Sequence, residues 1–219
     1  MVIVQTLYKV QNAIDMGVED LYAATAYLVA HADELNIDPQ KIIISGSSAG
    51  AINSMNAGYY ISSGHELAKK TLPKGFNYAA VIPMAGAVYI EGENTPLHWD
   101  STPCPALFFH GTADPTVTFN EEHTWRSGYG PANITKTYDK LGVSYWSVEC
   151  VGGDHVMAIA PLKLYWNEMD AFIDRVVLGG DHTQTHQIEV SDRPKTNDNY
   201  LSEVRGMPQM PQRQQRAEK

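Results

Sequence analysis

Apolar residues along the chain follow two periods, that of helices and that of buried strands. The short run KIIIS (41–45) is apolar and β-branched at its centre, as expected for a strand that helices cover on both faces. Residues 2–10 fit either a further strand or an extension of the helix that follows. From about residue 16 to 35, helical spacing predicts an amphipathic helix with a buried stripe of Leu21, Ala24, Leu28, Ala32 and Leu35.

Later apolar runs predict three more buried strands, over residues 79–88, 106–111 and 144–151. Buried strands that alternate with helices predict an α/β fold, with a mostly parallel sheet of four or five strands flanked by helices. Helices are predicted over 49–61, near 121–141 and over 161–177, the last with a stripe of Leu162, Trp166, Met169 and Ile173.

The composition changes after the sequence LGG at 178–180, where polar and charged residues with scattered Pro and Gln begin. Too few apolar residues remain there to offset the entropy of ordering the chain. We therefore expect a catalytic domain over 1–180 and a flexible tail over 181–219. His182 and His186 lie in this tail without the Cys, Asp or Glu spacing of a metal site, so no metal is expected.

Charge and hydropathy exclude several classes of partner. The net charge is −9, and no Lys/Arg stripe could neutralise a nucleic-acid backbone, so no nucleic acid is expected to bind. No apolar run approaches the roughly 20 residues that cross a bilayer, so no membrane is expected either. The sequence as written starts without a signal peptide, which predicts a cytoplasmic protein, or a secreted one if a signal peptide precedes it.

Two further sequence features have a simple interpretation. Cys104 and Cys150 are too few for a disulfide framework and are predicted to be free thiols. Asn133 begins a glycosylation sequon, which without an export signal we attribute to chance.

The sequence GSSAG at 46–50 places Ser48 at the centre of G-x-S-x-G, after a predicted strand and before a predicted helix. In such a turn the serine hydroxyl stands clear of the sheet. The N–H of the next residue, Ala49, would point towards a developing oxyanion at the helix N-terminus. Ser47 has the wrong flanks to be the nucleophile.

An aspartate and a histidine follow the ends of later strands. Asp114 comes after the strand at 106–111, and His155 after the strand at 144–151. Because parallel strands end at one edge of a sheet, we expect Ser48, Asp114 and His155 to meet there. A serine hydroxyl is a weak nucleophile, so the histidine would take its proton and the aspartate would orient the imidazole.

Each of these residues also has a plainer interpretation. GSSAG occurs as a small-residue turn, Asp114 lies in the turn sequence TADP, and His155 lies in a Gly-rich bend. Asp154 is a second candidate for the acid, although a sequence neighbour rarely faces the ring of its own histidine. His110 is expected to order the loop before Asp114 without taking part in the chemistry.

In three stretches the sequence resembles the α/β-hydrolase superfamily, especially carboxylesterases and lipase-like enzymes such as acetyl xylan and feruloyl esterases. The stretches are VEDLYAATAYLVAHADELNIDPQKIIISGSSAGA, PALFFHGTADPTV and GGDHVM, within residues 18–177. The resemblance implies Ser48 as nucleophile, Asp114 as acid, His155 as base, the Ala49 amide as one oxyanion donor, and no cofactor.

The sequence departs from that superfamily at its start. Such enzymes have several strands and an HGGG-like oxyanion loop before this helix, whereas only about 17 residues precede it here and no HGG occurs upstream. Loss of one oxyanion donor can reduce the rate on the order of 100- to 1000-fold. A short sheet would also leave an open edge and an apolar face, which predict self-association.

The sequence between the predicted strands has no insertion long enough for a cap domain, so we expect an open site for small, soluble esters of short acyl chains. Two other functions stay open. One is a catalytically weak or degenerate hydrolase that acts as a binding module, and the other is a serine peptidase of the prolyl oligopeptidase type. The candidate substrate contacts are Ser47, Tyr89, Trp99 and the segment from Val117 to Phe119.

Overall fold

The fold is built on a parallel sheet, seen in a computed structural model that describes residues 2–124 and 126–203. Within these residues the main sheet has five strands in the order β1-β2-β4-β7-β8, and each neighbouring pair is parallel. This confirms the predicted α/β class. The strands are β1 (Ile43–Ser47), β2 (Ala80–Met84), β3 (Val88–Glu91), β4 (Ala106–Gly111), β5 (Glu121–His123), β6 (Arg126–Tyr129), β7 (Tyr145–Cys150) and β8 (Gln184–Glu189).

Helices cover both faces of this sheet, and β3, β6 and β5 form a small antiparallel sheet beside it. None of the described helices is both long and apolar enough to cross a membrane. The helices are α1 (Val2–Ala30), α2 (Ala32–Leu35), α3 (Ala49–Ser62), α4 (Glu66–Thr71), α5 (Pro131–Leu141), α6 (Pro161–Leu164), α7 (Trp166–Phe172) and α8 (Asn197–Glu203), with 3₁₀ turns at Pro39–Lys41 and His155–Ala158 and a π-helical turn at Ile173–Leu178.

The core lies in two layers because side chains alternate across each strand. On β4, Phe108 faces the layer under α1, α3 and α5, whereas Leu107 and Phe109 face the layer under α7. Cys104 and Cys150 are both buried and free.

The buried face of α1 differs from the predicted stripe. Leu28 and Leu35 are 37% and 44% exposed. The side chains buried instead include two polar ones, Tyr22 and Thr25, whose hydroxyl groups have partners: Tyr22 donates to the carbonyl of Ala57 at 2.6 Å, and Thr25 bonds the hydroxyl of Tyr78 at 2.8 Å. Residues 2–10 extend this helix and do not form a strand.

Two predicted elements are divided in the structure. The run 79–88 is not one strand, because Ala85 adopts a positive φ of 55° and β3 leaves for the small sheet. The predicted helix near 121–141 is wrong in its first half, where β5 and β6 pair with each other. The helix α5 begins only at Pro131, a residue whose fixed φ suits the first helical position.

The last predicted helix is also interrupted. Residues 161–178 form α6, α7 and the π-helical turn, and Leu162 and Trp166 of the predicted stripe are 47% and 55% exposed. Breaks in the helix shift the buried face by about one residue. The side chains buried there are Tyr165, Met169, Phe172 and Val176.

The segment expected to be a tail contributes the fifth strand, β8, so that expectation is wrong for residues 184–203; residues 204–219 lie outside the described part. The polar side chains of β8 are bonded to their surroundings. Gln187 accepts from the indole of Trp146 at 3.0 Å, and His186 bonds the hydroxyl of Tyr145 at 2.8 Å. Apolar content alone therefore gives the wrong prediction for this segment, a flexible tail where the structure has a paired strand. His182 bonds the carbonyl of Gly142 at 3.0 Å.

Candidate active site

Ser48 occupies the sharp turn between β1 and α3. Its backbone is strained, with φ 52° and ψ −115°, and its N–H donates to the carbonyl of Met84 on β2 at 2.9 Å. A Cβ at Gly46 would lie 2.1 Å from the carbonyl oxygen of Gly50, so only glycine fits at that position. A Cβ at Gly50 would meet nothing within 4 Å, so the second glycine is not needed for packing.

His155 begins a 3₁₀ turn just beyond β7. The chain reaches it through Gly152, which has a φ of 69°, and through the buried Gly153. The far end of this turn is joined to β1, because the hydroxyl of Ser47 donates to the carbonyl of Ala158 at 2.6 Å. Ser47 thus holds the histidine turn beside the serine turn.

The three predicted side chains meet in one row. Ser48 Oγ lies 2.8 Å from His155 Nε2, and His155 Nδ1 lies 2.8 Å from Asp114 Oδ2. An ionised carboxylate can only accept, so Nδ1 carries a proton and Nε2 accepts from the serine hydroxyl. The residues meet because β1, β4 and β7 run in one direction and end at the same edge of the sheet.

The carboxylate of Asp114 is fully buried and saturated with donors. Burial by itself raises its pKa, but hydrogen bonds from His110, from the N–H groups of Val117 and Thr116 and from His155 outweigh burial and lower the pKa to about 2. Both N–H groups reach Oδ1, at 3.0 and 2.8 Å. Asp114 is therefore ionised at neutral pH, and Oδ2 is directed at the imidazole.

His110 lies beneath this carboxylate at the end of β4. Its side chain is 1% exposed, and its Nε2 lies 3.1 Å from the carbonyl of Val117 and 3.5 Å from Asp114 Oδ2. Its Nδ1 is buried without a partner among the described residues. Among the described residues, His110 has polar contacts with the loop of Asp114 and no hydrogen bond to Ser48 or His155.

The loops that carry Asp114 and His155 interlock. A Cβ at Gly111 would lie 2.3 Å from the carbonyl oxygen of Gly153, and that oxygen accepts from Ala113 N–H at 2.9 Å. Thr112 Oγ1 accepts from Gly152 N–H at 3.0 Å. These contacts couple the two loops and hold Asp114 and His155 at a fixed distance from each other.

Comparison with known proteins places the fold. Residues 2–95 match the family model BD-FAE. The solved structure of a truncated form of a carbohydrate esterase from gut microbiota is similar, with a TM-score of 0.50 and 22% identity over 74% of this chain and 68% of that chain. The chain has the α/β-hydrolase fold.

A second solved structure is that of the carboxylesterase Cest-2923 from Lactobacillus plantarum WCFS1, with a TM-score of 0.44 and 18% identity over 74% of this chain and 66% of that chain. No curated protein matches the chain. The match to the family model over residues 2–95 and the similarity in fold both indicate that the chain resembles esterases of the α/β-hydrolase fold.

Three of the expected substrate contacts, Tyr89, Trp99 and Val117, pack within or against the core. Tyr89 is completely buried under the guanidinium of Arg126, which lies 3.6 Å from its ring centre. Trp99 packs edge-on against Tyr59, near the other end of α3. Tyr89 is a core residue, and Trp99 is partly buried against the same core. Val117 is also buried, where its N–H binds Asp114.

Ala49, the expected oxyanion donor, lies at the N-terminus of a helix. Ala49 is the first residue of α3, where backbone N–H groups have no acceptor within the helix and the helix dipole favours negative charge. Within the described residues β1 is an edge strand, so no strand lies on the other side of Ser48 to supply a second donor. These residues also contain no cluster of three His, Cys, Asp or Glu side chains that could hold a metal ion.

Two contributors to the site were missed in the sequence. The N–H groups of Thr116 and Val117 bind Asp114 in an Asx turn, for which the sequence DPTV is a signal. Asp154 accepts from Val156 N–H at 2.8 Å and caps the 3₁₀ turn, so its side chain faces away from the imidazole.

Proposed function

We propose that this chain is a serine carboxylesterase that hydrolyses small esters of short acyl chains through an acyl-enzyme. The observation that carries the proposal is the hydrogen-bonded row Ser48, His155, Asp114, with 2.8 Å at both junctions. A hydroxyl that donates to a neutral imidazole, itself held by a buried carboxylate, is the arrangement that activates serine for attack on a carbonyl.

In the first half-reaction Ser48 Oγ attacks the ester carbonyl carbon as its proton passes to His155 Nε2. The carbonyl oxygen becomes an oxyanion, which the N–H of Ala49 stabilises. His155 then gives the proton to the alcohol oxygen, the bond from that oxygen to the carbonyl carbon breaks, and the alcohol leaves. Asp114, ionised and fully hydrogen-bonded, stabilises the imidazolium throughout.

In the second half-reaction water replaces the alcohol. His155 takes a proton from water as its oxygen attacks the acyl carbon, and the proton then returns to Ser48 Oγ as the acyl bond breaks. The carboxylic acid leaves and the free serine is restored. No cofactor is required for either half.

The surroundings of Ser48 favour small substrates. The cavity of about 670 Å³ lined by Leu72, Phe76 and Ile61 lies near the other end of α3. From Ser48 to Ile61 the helix rises about 20 Å, at about 1.5 Å per residue. A short acyl chain on Ser48 would not reach this cavity, and acetyl esters, including those of carbohydrates, do not need it.

A second candidate function is a catalytically weak hydrolase that serves as a binding module. The edge position of β1 favours it, because the second oxyanion donor has no source among the described residues on that side of Ser48. Loss of one such donor costs about 10²- to 10³-fold in kcat. An intact row with slow turnover would fit this alternative.

The test combines a covalent probe with an ester series. We expect a fluorophosphonate to add one adduct mass to the intact protein, on Ser48, and p-nitrophenyl acetate to be hydrolysed faster than the octanoate. Ser48→Ala is expected to lose both reactions, whereas Ser45→Ala, three residues earlier on β1, keeps them. Absence of labelling in the wild-type protein would contradict the esterase and favour the binding module.

A further inference from the structure

The described residues after β8, 190–203, form a C-terminal segment that is joined to the loop of His155 through Asp154. The backbone N–H of Asp154 donates to the carbonyl of Lys195 at 3.0 Å, and its Oδ2 accepts from the backbone N–H of Asn197, also at 3.0 Å. Its Oδ1 holds Val156 N–H at 2.8 Å. Asp154 thus connects the histidine turn to the C-terminal segment through two hydrogen bonds and caps the turn with a third.

The same segment packs against the two glycines that lead to His155. A Cβ at Gly152 would lie 3.3 Å from Pro194, and one at Gly153 would lie 3.1 Å from the carbonyl oxygen of Lys195. Glycine-rich chain is free to adopt many conformations, so it keeps one only where its neighbours hold it. Residues 194–197 are such neighbours on one side of the loop, as Gly111 is on the other.

The C-terminal segment is itself anchored at both ends. At its start, Glu189 accepts from the Tyr165 hydroxyl at 2.6 Å and from Lys195 Nζ at 2.9 Å. These bonds outweigh the burial that would raise the pKa of Glu189, so its pKa is lowered and the anchor is charged. At the other end, Tyr200 of α8 is buried in the core layer that also contains Val156. The C-terminal segment is therefore held firmly enough to fix the position of the loop of His155.

We infer that Asp154 is a positioning residue that, together with residues 194–197, fixes His155 at hydrogen-bond distance from Ser48. This inference rests on the proposed function, since it concerns the same imidazole. His155 must meet Ser48 and Asp114 at once, and both contacts fail if the turn tilts. A displacement of about 1 Å in a reacting group can reduce the rate about 100-fold.

The structure offers a substitution that removes a single hydrogen bond of this connection. Asn197 is the first residue of α8, and Thr196 before it caps the helix, with its Oγ1 accepting from Asn199 N–H at 3.3 Å. Proline is well tolerated at the first helical position. Asn197→Pro therefore removes the N–H that Asp154 accepts while α8 is kept, and Asn197→Ala, which keeps that N–H, is the matched control.

The reciprocal substitution is Asp154→Asn. An amide oxygen can still accept from Val156 N–H, and asparagine is a good residue for capping a turn, but its NH₂ group cannot accept from Asn197. The double variant Asp154→Asn with Asn197→Pro completes a cycle. If the two residues act through one hydrogen bond, the double variant is no slower than either single variant.

Two measurements on the full chain test the inference. We expect Asn197→Pro and Asp154→Asn to react with a fluorophosphonate about 10 to 100 times more slowly and to lower kcat for p-nitrophenyl acetate with KM unchanged. By hydrogen exchange, residues 152–158 should become less protected in both variants while β4 stays as in the wild type. Asn197→Ala should match the wild type in both measurements.

Each other outcome has a definite meaning. Wild-type labelling rates in both variants, or unchanged exchange over 152–158, would overturn the inference. Equal losses in Asn197→Ala and Asn197→Pro would overturn it too, since they would indicate a general weakening of α8. A wild-type chain that takes no label contradicts the proposed function alone, because exchange still reports whether the C-terminal segment holds the histidine loop.

Discussion

Asp114 combines burial with a full set of donors, and this combination gives it two separate roles. Two backbone N–H groups on Oδ1 fix the plane of the carboxylate, which leaves Oδ2 for His155. The pKa of about 2 keeps the group charged wherever the imidazole needs a counter-charge. Orientation and charge can be separated by substitution, because asparagine keeps the shape of the side chain and loses the charge.

Asp114→Asn is expected to reduce kcat for p-nitrophenyl acetate by about 10³- to 10⁴-fold, because a neutral amide neither stabilises the imidazolium nor fixes its tautomer. Steady-state kinetics of the purified variant measure the loss. The exposed Asp33→Asn on α2 is the control and should retain full activity. A loss below about tenfold would remove Asp114 from the proposed mechanism.

The same carboxylate predicts part of the acid sensitivity of the fold. Its pKa in the folded protein is lowered to about 2 from an ordinary 3.8, so its charged form stabilises the protein above about pH 4. That contribution is lost as the pH falls from 4 towards 2. Urea unfolding between pH 5 and 3 should show a smaller decline for Asp114→Asn than for the wild type, and parallel curves would contradict this.

At the scale of elements, the turn between β1 and α3 depends on one glycine more than on the other. Gly46→Ala would force the added Cβ to within 2.1 Å of a backbone oxygen, so the turn must move; overpacking of this kind costs typically about 1 to 3 kcal/mol. We expect a lower free energy of unfolding and slower labelling of Ser48. Urea unfolding and the fluorophosphonate rate measure the two effects.

Gly50→Ala is the matched control four residues later. The added Cβ has open space, and alanine in a helix is favoured over glycine by about 0.5 to 1 kcal/mol. Stability should therefore stay the same or rise. Equal destabilisation by both substitutions would mean that the turn responds to any change in its sequence.

Sequence reasoning located the elements that apolar content defines. Short apolar runs predict β1, β4 and β7, and the rule that parallel strands end at one edge predicts that Ser48, Asp114 and His155 meet there. Prediction from the sequence failed where polar side chains take part in the core. The buried face of α1 includes Tyr22 and Thr25 because their hydroxyl groups find partners on distant segments, which no local pattern reveals.

The β8 strand illustrates the same limit more strongly. Its residues Gln184–Glu189 alternate in burial but are mostly polar, and their partners lie on β7, α5 and α7. A hydrophobicity scale gives the free energy of moving a side chain out of water, and it does not say which hydrogen bonds the fold will supply to that side chain. For that reason the connection between the C-terminal segment and Asp154 could not be predicted from sequence.

At the scale of the molecule, β1 leaves one edge of the sheet open within the described residues. The carbonyl of Ile42 accepts from the N–H of Ala79, just before β2, and the N–H of Ser48 donates to the carbonyl of Met84 at the end of β2. The backbone of the odd-numbered residues between Ile42 and Ser48 therefore faces outwards. Ile159 and Leu162, which follow the turn held against β1 by Ser47, are 53% and 47% exposed. An open strand next to apolar side chains favours pairing with a second copy.

We therefore expect the mass measured by light scattering to rise with protein concentration, more at high salt, where the repulsion due to a net charge of −9 is screened. Ser45→Lys, at the centre of the open edge, should restore the monomer. Ile188→Lys on β8, the opposite and more polar edge, should leave association unchanged. A wild-type monomer at all concentrations would contradict the self-association of β1.

The order of the strands divides the chemistry between two parts of the chain. The described residues up to the exposed turn at Gly75 include Ser48, the proposed nucleophile, and those after it include Asp114 and His155, the proposed acid and base. The chain can therefore be prepared as two fragments, cut after Gly75. Each fragment alone should not react with a fluorophosphonate. When the fragments are mixed, the smaller one should acquire the adduct. Labelling of that fragment by itself would mean that Ser48 reacts without His155.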